Sequence, residues 1–335
     1  MVATIPVATP VQVTPPPQKP KVGLVGFLCD VTTEPVDFVD CLGCAFSGAP
    51  GCSFHPALIS EIVEKVRDPE YANTLAQQNG AEVGFSVTEI VGCPRQLILK
   101  KHYPHYETIG AMYRMFFGTG VHQSLSNYTS LNGYKEFSLT WKFQFSGKHI
   151  LLVGTPDLFE YNALSDGWRI TDYKVTANPP FGRKVPICVQ CRTELHKNDQ
   201  ERFVCPTCGE DYSPRSQYVS RIWKEAQPRS SHVMQVNLYA LLIEKNAARL
   251  SDIHPVKSAE IMYLGPKAPI RCEAPLDREK TMAFLKARLS TLLADSLPPI
   301  LDEVDELWRC DYCPVHSFCE QEHGGPVGKA AIEER

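Results

Sequence analysis

Two carboxylates and a lysine lie close together in the segment Gly154–Thr176, which reads GTPDLFEYNALSDGWRITDYKVT. Apolar and β-branched residues lead up to Asp157. The run WRITDYKVT predicts a second strand with Asp172 and Lys174 on one face and Tyr173 on the other, because strand side chains alternate. Two carboxylates beside an ammonium suit a hard divalent cation next to a scissile phosphate. A half-buried hairpin with solvated charges is the plainer interpretation, because this pattern is common.

The elements that would position these side chains follow from the periodicity around them. The run YKEFSLTWKFQFSGKHILLVGTPDLFEY alternates with SGK as a turn, so we expect a three-stranded meander in which HILLVGTPDLFEY is one strand. The apolar run AMYRMFFGTGVHQSLSNYTS predicts a helix that brings His122 toward the carboxylates, although a His on a helix is more often structural. A later helix, SSHVMQVNLYALLIEKNA, has Ser230 or Ser231 as its candidate cap and places Gln235 and Tyr239 one turn apart.

The cysteine content indicates metal binding. The chain has 13 cysteines in 335 residues, and three regions carry a C-x-x-C pair. Such spacing, without a signal peptide or an apolar stretch of membrane-spanning length, favours metal ligands in a reducing, cytoplasmic compartment. The formal charge of −4 does not indicate a nucleic-acid binder, but it leaves room for a local basic channel. The proline-rich residues 1–20 predict a disordered arm.

The strongest metal pattern is ICVQCRTELHKNDQERFVCPTCGEDY, which predicts a zinc-ribbon insertion over residues 186–212. Its two knuckles would enclose one structural zinc ion, with disulfides or unligated thiols as the alternative. The ligands would be Cys188, Cys191, Cys205 and Cys208. A weaker candidate is a second metal loop in the glycine-rich segment DCLGCAFSGAPGCSFHPALI, with small buried thiols as the alternative. Its candidate ligands are Cys41, Cys44, Cys52 and His55, with Cys29 as a substitute.

A third cysteine group lies near the end of the sequence, in LWRCDYCPVHSFCEQ. Cys310, Cys313 and Cys319 need a fourth ligand, and Cys93 in the sequence C-P-R is an unpaired candidate. Four thiolates suit an iron–sulphur cluster. A zinc site completed locally, by Cys319 or His316, is the alternative, and spacing alone does not choose between them.

Taken together, the order of these motifs resembles the PD-(D/E)XK nuclease superfamily, in its RecB-like branch with an iron–sulphur cluster. CRISPR-associated RecB-like exonucleases and AddB-type helicase–nuclease subunits belong to that branch. The matching residues are His122, Pro156-Asp157, Asp172-Tyr173-Lys174, Gln235-x-x-x-Tyr239, Cys93 and the late cysteine triplet. The resemblance covers roughly residues 82–320 apart from the ribbon, and the joint order is more specific than any one motif. The ribbon and the N-terminal cysteine segment depart from the pattern, so CRISPR adaptation in antiviral defence and a phage or mobile-element pathway both stay open.

The resemblance implies an α/β fold with a restriction-endonuclease-like core, in which helices flank a mixed central β-sheet. It implies a divalent-metal-dependent DNA exonuclease acting on single strands or duplex ends, with proteins of CRISPR adaptation or recombination as partners. A non-catalytic nucleic-acid-binding or assembly module is the alternative. The expected divisions are the arm at 1–20, an N-terminal Cys-rich segment at 21–80, a nuclease domain at 81–320 containing the ribbon at 186–212, and a flexible tail at 321–335.

The same resemblance implies the role of each site residue. The implied ligands of Mg2+ or Mn2+ are His122, Asp157, Asp172 and the backbone carbonyl of Tyr173. Lys174 would orient the nucleophile and offset negative charge that develops on the phosphate. Gln235 and Tyr239 would position the DNA strand or Lys174. The four thiolates of Cys93 and the late triplet would bind a [4Fe-4S] cluster that joins the two ends of the nuclease domain.

Overall fold

The computed structural model describes residues 23–48, 56–57, 59–60, 71–126, 133–250, 254–301 and 306–327. The predicted arm at 1–20, together with Cys52 and His55, lies outside the described residues. No helix within the described ranges has the length and apolarity needed to cross a membrane.

The described chain contains both strands and helices, with helices before and after a long run of strands from β5 to β14, which confirms a mixed α/β protein. The strands are β1 (Gly23–Leu28), β2 (Pro35–Asp37), β3 (Val83–Ser86), β4 (Pro104–Thr108), β5 (Gly133–Lys135), β6 (Leu139–Phe145), β7 (Lys148–Gly154), β8 (Leu158–Asn162), β9 (Gly167–Val175), β10 (Arg183–Cys188), β11 (His196–Lys197), β12 (Phe203–Val204), β13 (Asp211–Tyr212), β14 (Val219–Lys224), β15 (Val256–Leu264) and β16 (Pro269–Ala274). The helices are α1 (Phe38–Phe46), α2 (Tyr71–Gln78), α3 (Val87–Val91), α4 (Pro94–His102), α5 (Ile109–Ser126), α6 (Ser230–Lys245), α7 (Arg278–Leu292) and α8 (His316–His323).

A five-stranded mixed sheet, in the order β16-β15-β9-β8-β5, carries the acidic residues. Strand β9 pairs with β15 in parallel, and every other neighbouring pair in this sheet is antiparallel. The predicted β8–β9 hairpin and the late β15–β16 pair are therefore both present. Parallel pairing of β9 with β15 needs a crossover connection, and the chain between them provides it with α6.

The predicted three-stranded meander is wrong in one respect. Strands β6 and β7 form a hairpin whose turn residues, Ser146 and Gly147, both have positive φ, as SGK predicts. However, β7 ends at Gly154 and lies in a separate sheet, β3-β7-β6, while β8 starts at Leu158 in the five-stranded sheet. Pro156 lies in the break, where its missing N–H cannot continue a strand ladder.

The main core lies between the five-stranded sheet and α6. Every residue of α6 from Gln235 to Ile243 is buried, and α7 also packs against this helix. Gly154 at the end of β7 lies directly under α6, since a Cβ atom there would come within 3.0 Å of Leu242 and Tyr239. The caps expected for α6 are not used, because the helix starts at Ser230 with Arg229 as its N-cap and without a side-chain capping bond.

The N-terminal part forms a small sheet in the order β2-β1-β4, and α1 packs on it. Asp37 caps α1 by accepting a hydrogen bond from the backbone N–H of Asp40 at 2.8 Å. Cys41 and Cys44 lie within this helix, so the expectation that they occupy a glycine-rich loop is wrong. A spacing of three residues places them one turn apart on a helix as readily as in a metal-binding knuckle.

A separate segment, residues 183–224, leaves the five-stranded sheet after β9 and returns before α6. From here on, this segment, and not the N-terminal residues 1–20, is called the arm. Its stalk is the antiparallel pair β10–β14, and its tip is the three-stranded sheet β11-β12-β13. The predicted ribbon insertion, residues 186–212, begins in stalk strand β10, which ends at Cys188, and continues through the tip. At the other end of the chain, α8 extends to His323, so the segment predicted as a flexible tail begins with helix.

Candidate active site and metal centres

Three polar side chains meet where α5, β5 and the loop before β8 come together. Nδ1 of His122 lies 3.1 Å from Oδ1 of Asp157 and 3.9 Å from Oε1 of Glu136. Ligand atoms of all three residues lie within 4.8 Å of one another. The second oxygen of Asp157, Oδ2, accepts a hydrogen bond from the backbone N–H of Tyr173 at 2.7 Å, which fixes the carboxylate against β9. We call this set the acidic triad.

The backbone places Glu136 in this triad. It follows β5 directly, and its N–H donates to the backbone carbonyl of Asp157 at 3.2 Å. Its φ of 45° lies in the left-handed region, which is uncommon for a residue with a side chain. Such conformations concentrate at functional sites, where the surrounding structure imposes them.

Asp172 and Lys174 form the second half of the site. They lie on the same face of β9, as the alternation predicts, with Nζ of Lys174 2.7 Å from Oδ2 of Asp172. Asp172 is 1% exposed, and burial raises its pKa to about 6 although the Lys174 ammonium opposes this. The contact lacks hydrogen-bond geometry, so among the described residues Oδ2 of Asp172 has an ion-pair partner but accepts no hydrogen bond.

The face of α6 that covers Asp172 carries the two residues expected there. The side-chain amide of Gln235 donates to the hydroxyl of Tyr239 at 2.9 Å, and both residues are buried. Burial, followed by the nearby Asp172 carboxylate, raises the pKa of Tyr239 well above its usual value. Tyr239 is therefore a neutral hydroxyl next to the carboxylate.

His232, one turn earlier on α6, is a further group near Lys174 that sequence reasoning did not identify. Burial, together with the Lys174 charge, lowers its pKa to about 3, so the imidazole is neutral. Its Nδ1 lies 2.9 Å from the hydroxyl of Tyr263. That hydroxyl accepts from the backbone N–H of Arg229, which leaves its hydrogen available to the imidazole.

The structure therefore groups the predicted residues differently from the expected ligand set. His122 and Asp157 are together, but Asp172 pairs with Lys174 and lies outside the triad, whose third member is Glu136. Glu136 was missed because its position depends on strand register. The pairing of Lys135 with Leu158 places the next residue, Glu136, beside Asp157. The signal that could have found it is the antiparallel pairing of YKE with DLF.

The triad lies at a small cleft in the surface. Besides the triad, the cleft is lined by Leu125, Lys135, Leu158 and Tyr173. Burial opposes a charge on His122, but its contact with Asp157 is the larger effect and raises the pKa of the imidazole. Two carboxylates and one imidazole at this cleft form the mixed oxygen and nitrogen donor set that suits Mn2+ or Mg2+.

The ribbon brings its four predicted cysteines together. The sulfurs of Cys188, Cys191, Cys205 and Cys208 lie within 4.8 Å of one another. A tetrahedral zinc ion with Zn–S bonds of about 2.3 Å separates its sulfurs by about 3.8 Å, so this spacing suits one ion. The Tyr212 hydroxyl lies 3.5 Å from Sγ of Cys188 and, as the largest cause, lowers the pKa of that thiol to about 6. This favours the thiolate form that a metal binds.

The other predicted four-cysteine set also converges. Cys93 is the N-cap of α4, and it lines one cavity with Cys310, Cys313 and Cys319. Burial, followed by the three neighbouring cysteines, raises the pKa of Cys310 to about 11. Within the described ranges, this set is not among the groups whose ligand atoms all lie within 4.8 Å, so its sulfurs are spaced more widely than those of the ribbon.

Arg95 and Gln96, which follow Cys93 closely in sequence, both donate hydrogen bonds to sulfurs of this set. Nε of Arg95 lies 3.1 Å from Sγ of Cys319, and Nε2 of Gln96 lies 3.4 Å from Sγ of Cys313. Arg95 is only 6% exposed, and its remaining bonds go to the backbone carbonyls of Pro298 and Cys319. A buried guanidinium with sulfur and carbonyl acceptors suits a site of negative charge.

The N-terminal metal loop is not assembled in the described part of the chain. Cys41 is buried and Cys44 is exposed, and neither belongs to a group of three or more ligand residues among the described side chains. Cys29, the proposed substitute, is half-buried in the turn after β1. Cys52 and His55 lie outside the described residues.

Comparison with known proteins gives limited information. No family model matches the chain, and no curated protein matches it in sequence. A solved structure titled "Crystal structure of SSO0001" aligns with 79% of this chain and 94% of its own, at 15% sequence identity and a TM-score of 0.42. This similarity is too low to carry an argument about function.

Proposed function

We propose that this protein is a divalent-metal-dependent DNA nuclease with a restriction-endonuclease-like core, acting as an exonuclease on single strands or duplex ends. The observation that carries the proposal is the acidic triad, with the Asp172–Lys174 pair on the adjacent strand. His122, Glu136 and Asp157 provide oxygen and nitrogen ligands at one point, and β9 places a carboxylate and an ammonium beside them. Sequence order alone gives the resemblance, whereas these contacts give it a physical basis.

The triad residues would hold Mg2+ or Mn2+, with Asp172 available as a further carboxylate once its pair with Lys174 opens. The ion would supply Lewis acidity and a water of lowered pKa. The Lys174 ammonium, 21% exposed at its side chain, would bind a phosphate oxygen and offset charge that develops there. Gln235 and Tyr239, which are bonded to each other, would position the DNA strand or Lys174 from α6, with the neutral Tyr239 hydroxyl near the Asp172 carboxylate.

Cleavage of end-labelled DNA tests the proposal. Linear single-stranded and duplex substrates should be shortened from their ends when Mn2+ or Mg2+ is added, and circular single strands should stay intact. Lys174→Ala should abolish cleavage, whereas Lys257→Ala should retain it. Lys257 is an exposed lysine near the start of β15, beside Gly167 at the far end of β9. If wild-type protein binds DNA, does not cleave it with either metal, and still binds after Asp172→Ala, the binding-module alternative is correct.

We further propose different metals for the two cysteine sets. The ribbon spacing suits one zinc ion, whereas the wider set around Cys93 suits a [4Fe-4S] cluster, whose iron atoms carry one thiolate each. Arg95 and Gln96 would then act as donors to the cluster thiolates, the kind of contact that tunes such centres. Protein purified without oxygen should be brown and contain about four iron atoms and one zinc ion per chain. Colourless protein that contains only zinc would exclude the cluster.

A further inference from the structure

The stalk of the arm has two faces that differ in chemistry. In the antiparallel β10–β14 pair, directly opposed residues share a face. One face contains Arg183 opposite Lys224, then Val185 opposite Ile222. The other contains Lys184 opposite Trp223, then Pro186 opposite Arg221. We call the second the Trp223 face.

The first face is satisfied within the protein. Glu194 bonds to both of its cations, with Oε1 3.4 Å from Nη2 of Arg183 and Oε2 2.9 Å from Nζ of Lys224. Val185 and Ile187 on this face are buried. The charges and much of the apolar surface of this face therefore already have partners.

The Trp223 face is exposed. Trp223 is 58% exposed, and two cations of the same face, Lys184 opposite it and Arg221 two residues before it on β14, are also exposed. Within the described ranges, neither cation has a carboxylate within ion-pair distance, in contrast to the cations of the first face. More than half of this large aromatic ring is therefore left open to solvent beside two cations that have no carboxylate partner among the described residues.

One edge of the indole packs on the stalk itself. A Cβ atom at Gly182 would come within 2.5 Å of Cζ2 and 2.9 Å of Cε2 of Trp223. The edge of the ring therefore lies against the backbone at Gly182, which only glycine allows without a shift. Contact along one edge restricts the motion of the ring, so a ligand that stacks on the open face loses less affinity to ordering it.

We propose that the Trp223 face binds single-stranded DNA, with a base stacked on Trp223 and phosphates on Lys184 and Arg221. Aromatic rings interleaved with cations are the usual means of binding single strands without sequence preference, because every base has a π-face and every nucleotide a phosphate. The two stalk strands contain four cations and no carboxylate, whereas the whole chain has a formal charge of −4. The local charge thus favours a polyanion where the overall charge does not.

This inference rests on the proposed action on DNA and adds the path of the strand. The stalk begins nine residues after Lys174, a distance of at most about 30 Å along an extended chain. Near its base, Pro179 packs against Gly265 after β15, since a Cβ atom there would lie 2.9 Å from Cγ of Pro179. A strand on the Trp223 face would therefore be held near the proposed site by a part of the protein that is anchored to the same sheet.

Fluorescence anisotropy of labelled 20-nucleotide oligothymidine, with the full-length protein and without added Mg2+ or Mn2+, tests the inference. The key comparison is between two double variants with the same charge change in the same two strands. Lys184→Gln/Arg221→Gln alters the Trp223 face, and Arg183→Gln/Lys224→Gln alters the opposite face. We expect only the first to weaken binding and to make the salt dependence shallower by about 1.4 in slope, since each phosphate contact to a single strand contributes about 0.7.

A second comparison isolates stacking. Trp223→Ala should weaken binding of oligothymidine about tenfold, which is within the range for loss of one stacked base. It should leave binding of an abasic oligomer of equal length unchanged, because that ligand keeps the phosphates and lacks the bases. Gly182→Ala keeps the indole and displaces it, so it should also weaken oligothymidine binding. The zinc content of each variant reports whether the arm has folded.

Two outcomes would overturn the inference. One is equal loss of affinity in both double variants, which would show only a general charge effect. The other is wild-type affinity in Trp223→Ala or Gly182→Ala. Cleavage assays on the same proteins separate this inference from the proposed function. If the wild type cleaves DNA and the Trp223-face variants bind oligothymidine normally, the proposed function stands and the proposed binding face is refuted.

Discussion

Replacing Asp172 by asparagine would separate stability from function at the centre of the site. The carboxylate is buried, and its pKa is raised from 3.8 to about 6, with burial as the main cause. The folded protein therefore disfavours the charged form that a metal needs. Asparagine has nearly the same shape and carries no charge. We expect the variant to lose cleavage and to unfold at a higher temperature than the wild type when no divalent metal is added.

The sign and the size of this effect follow from the shift in pKa. Because the folded pKa exceeds the unfolded value, the folded state binds more protons between pH 3.8 and about 6. The wild type therefore loses stability as pH rises through that window, and the loss is constant above it. A shift of roughly two units corresponds to about 3 kcal/mol at pH 8 and to roughly half of that at pH 5. The gain in stability from Asp172→Asn should depend on pH in the same way, with the larger gain at pH 8 and the smaller one at pH 5.

Thermal unfolding followed by circular dichroism at several pH values from 5 to 8 provides the measurement. The control is Asp166→Asn, since this carboxylate lies on the turn of the same β8–β9 hairpin and its side chain is 80% exposed. That control should show no comparable pH-dependent advantage. A variant Asp172→Asn that is less stable than the wild type at pH 8, by an amount that does not change down to pH 5, would refute the reasoning. It would mean that the ion pair with Lys174 outweighs burial.

Three further predictions concern the metals. Glu136→Gln should weaken Mn2+ binding roughly tenfold by calorimetry, because it removes one charged ligand, whereas Glu160→Gln on β8 should not. The pKa of His122 is raised, and a metal binds only the neutral imidazole. Mn2+ affinity should therefore increase as the pH rises through that pKa. If His122→Asn leaves the pH profile of Mn2+ binding unchanged, His122 is not a ligand of the metal. Cys93→Ser should remove the visible absorption of the iron–sulphur cluster and leave the zinc content intact. Cys205→Ser should remove the zinc and leave the visible absorption intact. Loss of both metals in either variant would contradict two independent sites.

The parts of the site that local periodicity specifies could be predicted from the sequence. The alternation in β9 placed Asp172 and Lys174 on one face, and the helical spacing in α6 placed Gln235 and Tyr239 together. The ribbon cysteines were equally predictable, because two knuckles of fixed spacing determine a site almost by themselves.

The rest depends on contacts between distant segments. Strand β7 leaves the predicted meander because it pairs in parallel with β3, about 65 residues earlier, where Val83 lies opposite Ile150. Glu136 enters the acidic triad only through the register of β5 on β8. Arg95 and Gln96 contact sulfurs more than 200 residues away in sequence. Neither composition nor spacing contains that information.

The arm leaves the fold and returns to it at one place. Arg183 and Lys224 are paired neighbours at the base of the stalk, so the forty residues between them start and finish only about 4.5 to 5.5 Å apart. A short turn could therefore replace the whole arm without stretching the chain between β9 and α6. The arm is in this sense an interchangeable module, because a chain could lose or exchange it without rebuilding the five-stranded sheet.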